Sequence, residues 1–498
     1  MFLQIRIHRN NDWAAKQPIF CVIKIEVYMI QEKDLPKAYK DAMKDLLGDE
    51  YDAYIDSLYE KPYVGIRTNL LKLTPDRLKE LLDRDFKSVP WVKEGFYFEE
   101  EKGVLTTPSI RCDEKIKSIS KNPYYFAGLY YIQEPSAMTP ASVAGIKPGD
   151  KVLDLCAAPG GKSTQAASYL QGEGLLVTND FSASRVKALQ KNIEVSGIDN
   201  VLITNEDPKN LSKVYTEYFD KIIVDAPCSG EGMFRRDSAV FKAYLGRGPE
   251  FFTGIQVSIL NEAAKMLKSG GTLVYSTCTY SSIEDEGSLI NFLENHSDFT
   301  IEKIMPEFGF EESKKLPGTV RLFPHKLKGE GHFVARLKKN GSETEILSRD
   351  NKKEKNKRKK SVKLPEELLQ FLKKIKRDWD YERIFINKDY AYYLPKDALI
   401  DKSLHYIRTG LLLGEIKKNR FEPFQALAMS IKFDEWENPL SLPADDERVI
   451  KYLKGETIEA DDEYNGIRLV CVDGFSLGFV KQNKRSCKNK YYQGWRWM

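Results

Sequence analysis

The sequence predicts an α/β protein built on a Rossmann-like, mainly parallel sheet, with an N-terminal α+β extension and C-terminal mixed and β-rich domains. Three observations carry that expectation. Strand-like apolar runs alternate with helical runs from Lys151 onward, the pattern of crossover units and a parallel sheet. A glycine turn, "DLCAAPGGKST" at 154–164, joins the first of those strands to a helix. Two later strands, in "KIIVDAPCSGEG" (221–232) and "TLVYSTCTYSS" (272–282), each end just before a cysteine.

Residues 1–28 look detached from the rest of the chain, and Met29 opens a new pattern. The native start is therefore expected at Met29, with 1–28 an upstream extension. Residues 29–120 read as the N-terminal extension. "DAMKDLLGDEYDAYIDSLY" spaces Met43, Leu46, Leu47, Tyr51, Tyr54 and Leu58 at helical steps, and "YVGIRTNLLKL" reads as a strand carrying Arg67. The central domain, 121–338, holds five strands in "KVLDLC", "GLLVTND", "VLITNEDPKNL", "KIIVDAPCSG" and "TLVYSTCTY". The helix "QVSILNEAAKMLKSG" precedes the fifth strand and closes with Gly270. Residues 339–363 read as a basic flexible linker. Residues 364–435 carry helical and mixed signals, and 436–498 read as short strands, with Asp473-Gly474 between apolar runs predicting a hairpin.

Composition narrows the function. The chain has 498 residues, 42% hydrophobic and 30% charged, which suits soluble globular domains. The net charge is only +4, but residues 338–363 hold eleven Lys/Arg against four Asp/Glu. Such a run is a solvated, disordered linker, and a tethered polycation also suits a phosphate backbone. The seven cysteines form no CxxC pair and the five histidines no HExxH, which argues against a metal site. "PIFCVIKIEVYMI" (18–30) is interrupted by Lys24 and Glu26, too short and charged for a membrane span or an export signal. The expectation is a cytoplasmic protein with free thiols at Cys228 and Cys278.

The glycine turn selects among cofactors. A P-loop needs glycine where Cys156 stands, and the dinucleotide GxGxxG is absent. A nucleoside-type cofactor remains, with close backbone approach at the glycines and an acid on the next strand for ribose hydroxyls. Asp180 supplies that acid, and Asp207, ending the third strand, is placed to meet a base edge.

The thiols select the reaction. Cys228 and Cys278 lie past strand ends among Pro, Ser, Thr and Gly, unlike a thiol buried as a small core hydrophobe. One chemistry that needs a thiolate and a nucleoside cofactor without a metal is methylation of carbon 5 of a pyrimidine. A thiolate adding at carbon 6 makes carbon 5 nucleophilic toward the methyl group of S-adenosyl-L-methionine. Asp225 fits a carboxyl holding the ring nitrogen and exocyclic amine, with Lys162 supplying positive charge nearby.

"LDLCAAPGGK", "DFSASR", "VDAPCSGEGMF" and "STCTYSSIEDEG" resemble the motifs of the Sun/Nop-type RNA (cytosine-5) methyltransferases. "GLYYIQEPSAM" (128–138) and "RLFPHKLKGEGHF" (321–333) strengthen the resemblance, and "GEIKKNRFEP" (414–423) is similar to the bacterial 16S ribosomal RNA methyltransferase F branch. The resemblance implies an S-adenosyl-L-methionine-dependent methyltransferase sheet, an RNA-binding N-terminal extension and a terminal PUA-like RNA-binding domain. It implies cofactor binding by Cys156, Ala157, Ala158, Pro159, Gly160, Gly161 and Lys162, and by Asp180, Arg185, Asp207 and Asp225. Cys278 matches the nucleophile and Cys228 the cysteine that helps release product. One departure is "SSIEDEG", where Ser282 and Asp285 replace the Pro and Asn of many members.

The implied partner is RNA, 16S ribosomal RNA or the small ribosomal subunit first and transfer RNA as the alternative, with no membrane, no metal and a monomeric chain. Two rivals come from other classes. A non-catalytic RNA-binding factor would use the tail and linker but has no need of two paired thiols. A DNA cytosine-5 methyltransferase would attack with the thiol of the Pro-Cys motif, Cys228.

Overall fold

The computed structural model describes residues 32–98, 119–341 and 364–497. The expected upstream extension, the start at Met29 and most of the basic linker lie outside these described residues.

Two amphipathic helices, Lys37–Leu47 and Tyr51–Ser57, open the described chain. They bury Tyr39, Met43, Leu47, Tyr51 and Tyr54 against Phe234, Tyr280 and Phe323 of the central domain, so the helical spacing expresses one continuous contact face. Next comes a three-stranded antiparallel sheet of β1 (Val64–Thr68), β2 (Gly95–Phe98) and β3 (Tyr130–Gln133), in the order β2-β1-β3. Its third strand corrects the expected boundary at residue 120. Tyr130–Gln133 pairs with β1 and so belongs to the N-terminal sheet.

The central sheet holds β4 (Lys151–Asp154), β5 (Leu175–Asn179), β6 (Val201–Thr204), β7 (Phe219–Asp225) and β8 (Leu267–Thr277), all parallel, in the order β6-β5-β4-β7-β8. These are the five strands expected from the alternation. Their residues are buried on both faces, Leu153, Val177, Ile222 and Leu273 on one and Val152, Leu176, Ile223 and Val274 on the other, as continuous apolar runs in a covered parallel sheet require.

The sheet extends further than expected on both sides. Beyond β8 come antiparallel β9 (Phe299–Glu302), β10 (Glu311–Glu312), β11 (Val320–Leu322) and β12 (His332–Lys339). The first C-terminal unit, expected to be helical and mixed, holds the helices Glu366–Leu372 and Gln425–Ser430 and five strands, β13 (Ile384–Asn387), β14 (Tyr390–Tyr393), β15 (Tyr406–Thr409), β16 (Leu411–Lys417) and β17 (Arg420–Pro423). β15 leaves its own unit and pairs antiparallel with β6. Gly410 N donates to Val201 O at 2.8 Å, and Arg408 grips Glu194 at 2.5 Å. The open edge of the central sheet is thereby covered, which removes a row of unpaired backbone groups.

The last unit contains β18 (Leu440–Leu442), β19 (Ile458–Val472) and β20 (Phe475–Asn489). Asp473 and Gly474, at φ 44° and 83°, form the expected tight turn. Its core is shared with the N-terminal sheet: Ile66, Phe96 and Tyr130 pack with Val449, Tyr452, Val480 and Trp495. Trp495 and Trp497 are buried, and Trp497 stacks on Phe126 with ring centroids 5.4 Å apart. They are core residues, not exposed platforms for bases. Among the described residues no helix is long and apolar enough to cross a membrane.

Candidate active site

The turns after β7 and β8 bring the two thiols together. Cys228 Sγ and Cys278 Sγ are 3.3 Å apart. The turns are tied to each other by polar contacts. Gly232 N donates to Cys278 O at 2.9 Å, and Ser229 Oγ lies 2.7 Å from Thr279 Oγ1. Glu284, fully buried, accepts from Ser229 N at 2.9 Å, Ser229 Oγ at 2.5 Å and Gln256 Nε2 at 3.0 Å. Glu231 Oε2 accepts from Tyr280 N at 3.0 Å. Side chains on both turns thus fix the sulfurs relative to each other. The hydrogen bond with Cys278, then burial, push the Cys228 thiol well above its usual range. Either sulfur can donate across that contact, and the upward shift favours the hydrogen on Cys228.

Asp225, the last residue of β7, sits beside them. Its Oδ2 accepts from Lys162 Nζ at 2.8 Å and its Oδ1 from Ser276 Oγ at 2.8 Å. Burial alone would raise its carboxyl, but the Lys162 charge, joined by the His332 ring when that ring is protonated, outweighs burial and holds it well below the usual range. The same pairing keeps buried Lys162 above its ordinary value against the opposing effect of burial. The result is a fixed carboxylate–ammonium pair at the floor of the thiol cleft.

The cofactor loop runs from Leu155 to Gly160 and feeds the helix Gly161–Leu170. Gly160 has φ 111°, a conformation that favours glycine, and a Cβ on Gly161 would sit 3.1 Å from Gln133 Nε2. Ala157 and Ala158 are buried and Cys156 partly so, and burial pushes the Cys156 thiol up, away from the thiolate form. Asp180 follows β5 and is almost fully buried. Its Oδ2 accepts from Ala158 N at 3.1 Å and its Oδ1 from Ser182 N at 2.8 Å. Each oxygen keeps a second acceptor site, so Asp180 both shapes the loop and can still receive a ligand hydroxyl. Arg185 donates to Ala158 O at 2.5 Å and stands 3.7 Å from Asp180. Asp207 follows β6 and accepts from Lys209 N at 2.8 Å as the cap of the helix Pro208–Val214. Phe181, 74% exposed, presents a bare ring next to Asp180. Backbone cradle, buried acid and exposed aromatic face together fit an adenosyl-type group.

All the expected acids and both thiols therefore lie at the carboxyl ends of β4 to β8, the edge where ligands bind in such sheets. The sequence reading did not single out Ser276, Glu284 or Phe181. The motif "GEGHF" also contains His332, whose Nε2 lies 3.8 Å from Asp225 Oδ1. A lone histidine in a long motif gives no sign of where it points. Only the antiparallel return of β12 beside β8 brings it here. The departure at Asp285 has a structural partner. Asp285 accepts from Thr277 Oγ1 at 2.5 Å and forms a 2.6 Å ion pair with buried Arg321, which also holds Glu286 at 2.6 Å.

Comparison with known proteins agrees with this geometry. Residues 142–338 match the model of "16S rRNA methyltransferase RsmB/F". Residues 35–135, 370–431 and 439–497 match the N-terminal, first C-terminal and PUA domains of RsmF. "Ribosomal RNA small subunit methyltransferase F" of Shewanella loihica is 30% identical over 471 residues, covering 90% of this chain and 92% of that protein. The protein of the same name from Erwinia tasmaniensis is 34% identical over 314 residues, and the match spans 63% of its length. Among solved structures, a methyltransferase homologue from Pyrococcus horikoshii is 29% identical with a TM-score of 0.51, over 61% of this chain and 95% of that one. NSun6 from Pyrococcus horikoshii, solved with SFG, has a TM-score of 0.52 at 24% identity, over 62% of this chain and 99% of that one, a likeness of fold. With near full-length similarity and all four domain models in order along it, the chain belongs to the RsmF branch of the RsmB/F family of 16S ribosomal RNA methyltransferases.

Proposed function

We propose that the cleft methylates carbon 5 of a cytidine in 16S ribosomal RNA through a covalent bond between Cys278 and the base. The observation that carries this reading is the meeting of two thiols, 3.3 Å apart, with a Lys162–Asp225 pair at one sheet edge. S-adenosyl-L-methionine, when bound, supplies an electrophilic methyl group. The loop 156–162, Asp180, Arg185, Asp207 and the ring of Phe181 are the residues that would hold it.

The chain's own groups do the rest. Cys278 Sγ adds to carbon 6, and the ring electrons pass to carbon 5, which becomes a nucleophile. Asp225 accepts from the exocyclic amine, and as the adduct forms the ring nitrogen takes up the proton given up by the Cys278 thiol and then donates to the same carboxylate. Lys162 keeps that carboxylate charged and fixed. After carbon 5 is alkylated, a base, a water molecule being sufficient, takes its proton, the electrons of that bond re-form the 5,6 double bond, and the carbon 6–sulfur bond breaks with its electrons going to Cys278 Sγ. Cys228, protonated and in contact with Cys278 Sγ, is placed to assist that departure. Carbon 6 is covered within a base stack, so the target base must leave its stack to meet Cys278 Sγ. This reading places the protein in the cytoplasm with ribosomal RNA as its partner and requires only one copy of the chain.

Bisulfite sequencing of total RNA from strains with and without the gene tests the reading. One or more 16S ribosomal RNA positions should lose their protected cytidine in the deletion strain. Loss only at transfer RNA positions, or nowhere, would overturn it.

A further inference from the structure

His332, inside the cleft, carries a buried polar atom without a hydrogen-bond partner among the described residues. It opens β12 and is 3% exposed. Phe333 pairs across the ladder with Thr277, which puts His332 beside the position of Cys278. The ring is held by one hydrogen bond, between Nδ1 and Gly331 O at 3.0 Å. A carbonyl oxygen only accepts, so Nδ1 carries the hydrogen. In the neutral ring Nε2 is then a bare lone pair. It lies 3.8 Å from Asp225 Oδ1, beyond hydrogen-bond reach.

Asp225 Oδ1 and His332 Nε2 are thus two acceptors 3.8 Å apart, and the Asp225 side chain is 31% exposed. A buried acceptor left without a donor is costly, so such a site awaits a ligand that donates. Lys162 is already turned to Asp225 Oδ2, and Ser276 to Oδ1. The Tyr280 ring packs against Gly331 and the Glu330 carboxylate is held by Arg235. None of these groups hydrogen-bonds to Nε2.

We infer that His332 Nε2 accepts a hydrogen from the exocyclic amine of the target base and so selects cytosine over uracil. This rests on the reading of the cleft as a pyrimidine carbon 5 site. Cytosine presents a donating amine there, whereas uracil presents a carbonyl oxygen that would face two acceptors. Sites built to hydrogen-bond an N–H reject analogues lacking it more strongly than apolar pockets do, because their own polar groups are left unpaired. The exocyclic amine carries two hydrogens, so Asp225 and His332 can each accept one of them.

The test is a two-by-two cycle in the full-length protein. RNA that the wild-type protein methylates is prepared with either cytidine or the 2-pyrimidinone riboside, which lacks the amine, at the modified position. Dissociation constants are measured in a Cys278→Ala background, so that no covalent step intervenes, with S-adenosylhomocysteine present. With His332 intact, removing the amine should weaken binding about tenfold, the cost of stranding a buried acceptor. With His332→Phe the same change should weaken binding by less than about threefold, since one amine contact is already gone. His332→Gln, uncharged but with an accepting oxygen, should recover part of the discrimination.

Equal discrimination with and without His332 overturns the assignment. Discrimination lost in both variants, but restored by His332→Lys, overturns it in favour of a positive charge acting on Asp225. Unchanged S-adenosylhomocysteine affinity shows that the variants are folded. Absence of any 5-methylcytidine from the wild-type protein would be a failure of the underlying reading, whereas normal methylation with an unaltered ratio fails His332 alone.

Discussion

Cys228 Sγ and Cys278 Sγ touch at 3.3 Å, although 50 residues separate them in the chain. Their closeness follows from parallel pairing of β7 with β8, in which Asp225 is in register with Ser276. Each strand then turns out of the sheet at the same height, and Glu284 ties the turns together. In the proposed reaction one thiol attacks and the other helps the attacker leave.

Cys278→Ala should abolish both methylation and any covalent RNA adduct. Cys228→Ala should leave attack possible but impair collapse of the adduct, so enzyme accumulates on RNA as a denaturation-resistant complex. A denaturing gel with labelled RNA and S-adenosylmethionine separates these outcomes. An adduct with Cys278→Ala that vanishes with Cys228→Ala would reverse the roles and give the DNA-type mechanism.

Asp180→Ala should weaken S-adenosylmethionine binding by roughly 1.5–3 kcal/mol, the range for a charge-assisted hydrogen bond. The structure adds a second cause, because Asp180 also holds Ala158 N in the cofactor loop. Asp180→Asn keeps the shape and loses the charge, so it should fall between wild type and Asp180→Ala. Isothermal titration measures all three. Equal affinity in all would remove Asp180 from the site.

Deleting 436–498 is a poor test of RNA binding, since that unit shares its core with the N-terminal sheet. Reversing exposed charges on β20 is cleaner. Lys481, Lys484 and Lys488 are all exposed. Their joint change to Glu should lower RNA affinity and flatten its salt dependence, by a slope of about 2–3 if each neutralises a phosphate. Cofactor affinity should not move. Electrophoretic shifts at several salt concentrations check this, and an unchanged slope would place the RNA elsewhere.

Arg321→Ala should cost about 3–5 kcal/mol of stability, because it strands buried Asp285 and Glu286 without their cation. Asp285→Asn should cost much less, since Glu286 keeps Arg321 paired. Urea denaturation followed by tryptophan fluorescence compares them. Similar losses for both variants would mean that the Asp285 carboxylate, not the cation, holds this turn.

The central sheet and its ligand edge were legible because apolar runs of strand length alternate with helical periods, and parallel pairing lines up their ends. Asp225, Cys228 and Cys278 could be placed at one edge for that reason. What could not be read depends on pairing between distant segments. Nothing local to Tyr406–Thr409 says that it will leave its own unit and cap β6. Likewise, Trp495 and Trp497 look like stacking surfaces in a basic tail until the N-terminal sheet is seen to cover them. His332 belongs to the same class, its role set by the antiparallel neighbour of β12.

The pH dependence of stability should carry the mark of Asp154. This residue ends β4, is fully buried, and receives a hydrogen bond from Ser163 Oγ at 2.6 Å through Oδ2, while Oδ1 has no partner among the described residues. Burial pushes its carboxyl up to about 7, against the lesser opposing effects of Ser163 and Lys162. The folded protein therefore keeps this proton at pH values where the unfolded chain has released it. Its contribution is fully present below the unfolded value near 4 and is lost as pH rises toward about 7. Asp154→Asn keeps the shape, still accepts from Ser163 and cannot ionise. Between pH 5 and pH 8 the wild-type protein should lose about 2 kcal/mol more stability than Asp154→Asn. Glu231 is likewise raised by burial, so both proteins should retain some slope of the same sign. The difference between the two slopes isolates Asp154. Urea midpoints at the two pH values measure it, and parallel curves would mean that Asp154 is ionised in the folded protein throughout that range.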